Sequence, residues 1–81
     1  MSWYLKTTTV SAYALDDDIR NADTRKYYAL NGHWKRESVI NFVKRRNLDI
    51  QSADFTHHTS DMNGRGRGDR GQTQHLKEAV Q

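Results

Sequence analysis

With 81 residues and no cysteine, the chain has room for one small domain, with neither a disulfide framework nor a thiolate metal site. No apolar run approaches transmembrane or signal-peptide length, so no membrane anchor or leader is expected and a cytoplasmic, reducing setting is compatible. The net charge of +3 is unevenly spread: residues 25–47 hold seven cations against Glu37 alone, a local balance of +6. Such segregation makes a directional field suited to a polyanionic partner.

Residues 2–12 are rich in aromatic and β-branched types and predict a strand. Alternation places Trp3, Leu5, Thr7 and Thr9 on one face and Tyr4, Lys6, Thr8 and Val10 on the other. Only Lys6 protects this strand from pairing at an open edge, which leaves it able to pair two chains as a homodimer. Asp16, Asp17 and Asp18 then precede Ile19. An aspartate cap, two further carboxylates at the positive helix end, and Leu15, Ile19 and Ala22 at helical spacing predict a short helix over 16–23. A metal role for the three aspartates would need ligands from elsewhere, because neighbours in sequence point apart.

Tyr27-Tyr28-Ala29-Leu30, then Asn31-Gly32, then His33-Trp34 predict a hairpin, because Asn and Gly both tolerate positive φ. Its strands are placed near 25–30 and 33–35. A helix ending at Leu30 with Gly32 as its stop is the competing reading. Residues 36–47 predict an amphipathic helix. Val39, Ile40, Phe42 and Val43 share one face, while Asn41, Lys44 and Arg45 share the other. Asn47 is its stop, with Leu48 folding back. Residues 49–58 predict a further strand, irregular near Ser52-Ala53, because Ile50 and Phe55 cannot share a face in an unbroken strand. A weak helical pattern, Leu76 and Val80, returns over 72–80.

Four of the five glycines lie in Gly64-Arg65-Gly66-Arg67-Gly68-Asp69-Arg70-Gly71. No residue there is apolar, and glycine raises the entropy lost on ordering, so a mobile segment near the C-terminus is expected. The organisation expected is an α+β core domain over 1–59 followed by an Arg/Gly-rich flexible segment over 60–81 with a possible short helix. The fold class expected is α+β: a small, mainly antiparallel sheet with two helices. Its core would hold Trp3, Leu5, Leu15, Ile19, Leu30, Trp34 and Phe55 beside the apolar face of the 36–47 helix.

The residues that carry chemistry are cationic. Lys35, Arg36, Lys44 and Arg45 surround the amphipathic helix, and Arg65, Arg67 and Arg70 punctuate the glycine run. Guanidinium groups offer planar paired donors to phosphate, and flexible Arg/Gly stretches suit a nucleic-acid backbone. Tyr27, Tyr28, His33 and Trp34 are interleaved with them, as core anchors or as stacking platforms. His57 and His58 point to opposite faces of a strand, so with Asp61 and His75 they make no convincing metal site. Arg67-Gly68-Asp69 matches an adhesion tripeptide that arises easily inside an Arg/Gly run. No phosphate loop or nucleophile elbow is present, nor a carboxylate pair with a clear cleft around it, so neither enzymatic activity nor a cofactor is expected. The expectation is a small basic binding protein that engages a nucleic-acid backbone through the helix face and the Arg/Gly segment. The alternative is a small regulator or inhibitor that docks on a larger, acidic or nucleic-acid-handling protein.

Overall fold

The computed structural model describes residues 4–61 and 68–77. Strand β1 (Tyr4–Ala12) is followed by β2 (Lys26–Asn31), helix α1 (Arg36–Arg45), β3 (Asp54–Asp61), β4 (Gly68–Arg70) and β5 (Gln74–His75). The sheet is antiparallel and four strands wide in the order β2-β1-β3-β4, with β5 beside β3 further along the same edge as β4. The β3–β4 and β3–β5 registers differ by one residue, so β4 and β5 act as one strand interrupted by a bulge. Strands β2 and β3 both run antiparallel to β1, hence parallel to each other. Parallel strands need a crossover, and α1 supplies it.

One face of the sheet is covered by α1. Val10 and Ala12 of β1, Phe55 of β3 and Val39, Phe42 and Val43 of the helix form the core with Leu48, Ala53 and Leu76. Tyr28 and Leu30 of β2 pack at its margin. The other face carries Leu5, Thr7, Thr9 and Ser11 from β1 with Tyr27, Ala29 and Asn31 from β2. No described element covers it, which explains why Leu5 is exposed despite its place in a strand.

Helix α1 forms where its apolar period predicts and stops by a Schellman motif. The Leu48 amide bonds the Val43 carbonyl at 3.0 Å and the Asn47 amide bonds the Lys44 carbonyl at 3.2 Å. Asn47 takes φ 55°, a left-handed conformation that asparagine tolerates better than most residues. Leu48 then turns back into the core beside Val43.

Several expectations are corrected. Among the described residues the fold has one helix, not two. Residues 16–23 form turns and bends, with Leu15 59% and Ile19 70% exposed. A segment this short cannot offset helix nucleation without docking an apolar face. Asn21 also offers the backbone a local alternative, because its side-chain carbonyl accepts the amides of Asp23 and Thr24 at 2.8 and 3.2 Å. The loop is held by its ends instead: the Leu15 amide bonds the Asn47 carbonyl, the Asp49 amide bonds the Tyr13 carbonyl, and Arg20 pairs with Asp49. Residues 33–35 form no strand; Gly32, at φ 86°, turns the chain from β2 toward the helix rather than into a hairpin. The helix ending at Leu30 is likewise absent, because Leu30 lies in β2. The last long strand begins at Asp54, after turns over 49–52. Strand β1 is central, so among the described strands the sheet edges belong to β2 on one side and to β4 and β5 on the other.

The C-terminal part adds to the core. Leu76 is fully buried, its amide bonded to the Ala53 carbonyl at 3.0 Å. Residues 74 and 75, within the weak helical pattern, form β5. Trp3, Arg65, Arg67, Val80 and the first half of the Arg/Gly run lie outside the described residues. No helix among the described residues is long and apolar enough to cross a membrane.

A candidate basic groove around Trp34

The turn between β2 and α1 is pinned from below. Thr8, fully buried in β1, donates its hydroxyl to the Gly32 carbonyl at 2.7 Å and accepts the Trp34 amide at 2.9 Å. His57 Nε2–H donates to the Trp34 carbonyl at 2.7 Å, and the Trp34 indole N–H donates to the Asn31 carbonyl at 2.8 Å. The indole meets Phe42 edge-on, with ring centres 6.0 Å apart. Each polar group of Trp34 is therefore committed, and its ring position is set by β1, β2, β3 and α1 together.

Three depressions open around that ring. One of about 440 Å³ is lined by His33, Trp34, Lys35 and Ser38. The next, about 510 Å³, is lined by Trp34, Ser38, Asn41, Lys44 and Arg45. The third, about 330 Å³, is lined by Trp34, Phe42, Arg45 and Arg46. Ser38 joins the first to the second and Arg45 joins the second to the third, so they form one groove along the β2 flank of the helix. Cations stand at both ends. From position 35 to position 45 the helix rises about 15 Å, roughly the length of four stacked nucleotides at about 3.4 Å each. Among the side chains described, Lys35, Lys44, Arg45 and Arg46 make no ion pair. The Arg46 guanidinium lies 5.4 Å from the Tyr28 ring centre and 5.2 Å from that of Phe42, a cation–π arrangement that leaves its outer edge free to bind.

Of the residues singled out from sequence, the groove unites Lys35, Lys44 and Arg45. Arg36 is directed elsewhere. It lies nine positions from Arg45, about two and a half turns, so the two project from opposite flanks. Its guanidinium donates to the His75 carbonyl at 2.9 Å and ties α1 to β5. Arg70 lies in β4, in register with His58. Trp34, Ser38, Asn41 and Arg46 complete the groove and were not among the site residues read from sequence. Trp34 was legible only as an aromatic between cations. Nothing in the local pattern shows that residues before the helix and in its last turn share a wall.

The remaining polar groups explain themselves structurally. Arg25 donates to the Ser11 hydroxyl, to the Ser52 carbonyl at 2.8 Å and to Asp54 at 3.2 Å, which withdraws it from the pool of available cations. It also lies 4.9 Å from the centre of the Tyr13 ring. His57 and His58 do face opposite sides of the sheet. His57 stacks on His33 with ring centres 4.6 Å apart, and His58 lines a polar hollow on the open face. Among the described residues no group of three His, Asp or Glu side chains is placed to hold a metal. No known family model, characterised protein or solved structure matches this chain.

Proposed function

We propose that the protein is a non-enzymatic nucleic-acid-binding module, with a short single-stranded segment lying along the Trp34 groove. What supports this reading is one juxtaposition: an aromatic ring held rigid at the centre of a groove whose walls carry Lys35, Lys44, Arg45 and Arg46. Phosphates pair with the cations, and a base stacks over or against the indole. Stacking of this kind contributes about 1–3 kcal/mol per base without choosing a sequence, so backbone tracking with weak base preference is expected. Arg65, Arg67 and Arg70 would add contacts to the strand beyond the groove.

The reading is tested by fluorescence anisotropy with a labelled oligothymidylate and a labelled duplex of matched length. If the four groove cations each neutralise one phosphate, affinity for the single strand falls about 50-fold between 50 and 200 mM salt. Lys44→Gln combined with Arg45→Gln lowers the slope of log affinity against log salt by about 1.4. In a Trp3→Phe background, binding changes Trp34 emission. Absence of binding to either probe at 50 mM salt overturns the proposal. A protein recovered from nuclease-treated extract, with no oligonucleotide retained, instead favours docking on a larger protein.

A further inference from the structure

The backbone register leaves β2 at one edge of the sheet, opposite the shorter edge formed by β4 and β5. β2 pairs with β1 and with no other described strand. The Gly32 amide donates to the Lys6 carbonyl at 2.8 Å, making 6/32 a bonded pair. Bonded and non-bonded pairs alternate along an antiparallel ladder. Tyr28 and Leu30 therefore direct their amides and carbonyls to Val10 and Thr8, while Tyr27, Ala29 and Asn31 direct theirs outward. The Asn31 carbonyl accepts the Trp34 indole, as that parity requires. Tyr27 and Ala29 are left with two amides and two carbonyls facing out. An unpaired edge of this kind is a template for another strand, and within β2 only Lys26 guards it.

We propose that the β2 edge pairs with the β2 edge of a second copy, antiparallel about a two-fold axis at Tyr28. In that register Tyr27 of each copy lies opposite Ala29 of the other, and the two amides and two carbonyls that Tyr27 and Ala29 direct outward are all bonded. The wide Tyr27 ring, 65% exposed, meets a small side chain on the open face. Lys26 lies opposite Leu30 and Arg25 opposite Asn31, so no like charges face each other directly. A shift centred on Ala29 would set Tyr27 against the Asn31 carbonyl that the Trp34 indole already holds, so Trp34 ends the edge and excludes that shift. Two-fold self-pairing is also the commonest way identical chains associate.

The interface is short, well below the roughly 1,200 Å² of a standard stable complex. Association is expected at tens to hundreds of micromolar, about 5–6 kcal/mol. Arg46 stands over Tyr28, so the axis brings two guanidinium groups onto one face. Salt screens their repulsion, and the dimer tightens as salt rises. Nucleic-acid binding by the groove has the opposite salt dependence, so the two ideas succeed or fail separately.

The test is sedimentation equilibrium of the full chain from about 10 µM to about 1 mM, a range that brackets this affinity, at low and high salt. Amide hydrogen exchange is followed at both ends of the concentration range. A concentration-dependent dimer is expected, with the Tyr27 and Ala29 amides slowing by at least about fivefold at high concentration while those of Tyr28 and Leu30 are protected throughout. Ala29→Pro removes an outward amide and no bond to β1, so a folded monomer is expected. A monomer at every concentration overturns the proposal. So does a dimer in which the Tyr27 and Ala29 amides exchange as fast as in dilute solution, or one that persists in folded Ala29→Pro. If that variant does not fold, the exchange rates of the parent chain decide.

Discussion

Leu76 and Ile19 exchange the roles that their positions in the sequence imply. Leu76 follows a glycine-rich run yet is completely buried, whereas Ile19, in an apparent amphipathic period, is 70% exposed. Leu76→Ala removes a side chain enclosed among Phe55, Ala53 and the helix face. For a fully buried leucine the transfer and cavity contributions together come to about 2–5 kcal/mol. A chain of this length has a total stability of about 4–12 kcal/mol, so the variant loses between about a sixth of its stability and all of it. With a urea slope near 1 kcal/mol per molar for so small a domain, the midpoint falls by at least about 2 M. Ile19→Ala, by contrast, stays within about 0.5 kcal/mol of the parent. Paired urea titrations followed by far-UV circular dichroism measure both. A Leu76→Ala midpoint within about 0.5 M of the parent at that slope would mean that the C-terminal strand does not complete the core. An Ile19→Ala loss near that expected for Leu76→Ala would restore the helix that the sequence suggests.

Thr8→Val keeps shape but removes the hydroxyl that joins Gly32 to Trp34, leaving a part-buried amide unpaired. A loss of about 1–3 kcal/mol is expected, with increased Trp34 mobility by fluorescence anisotropy in a Trp3→Phe background. At the end of the helix, Asn47→Gly is neutral or slightly stabilising, because φ 55° suits glycine at least as well. Asn47→Val costs about 1–2 kcal/mol in the same titration. Equal stability of these two variants would contradict the Schellman geometry. Phe42→Ala, which removes the ring that meets both Tyr28 and Trp34, costs about 3–5 kcal/mol and abolishes the native circular dichroism of a marginal domain.

The parts legible in the sequence are those decided by short-range chemistry. The α1 period from Val39 to Val43, the left-handed Asn47 and the return of Leu48 lie within one segment, and their stereochemistry selects the same ending in any context. The β-branched run of β1 likewise favours extension before anything packs on it. The groove was partly legible in this way: Lys35, Lys44 and Arg45 stand out as cations around a helix, but their common wall does not.

Tertiary structure decided what depends on a distant partner. Whether 16–23 winds into a helix turns on an apolar surface to dock against, and the core offers none there, so Asn21 takes the backbone into local turns instead. Whether Leu76 is buried depends on Ala53 and Phe55, more than 20 residues earlier, holding the edge of β3 open for β5. Trp34 is fixed by a hydroxyl on β1, a histidine on β3 and a carbonyl on β2, and only folding brings those three to one place. Local stereochemistry acts before the chain compacts; burial and the meeting of charges exist only afterwards.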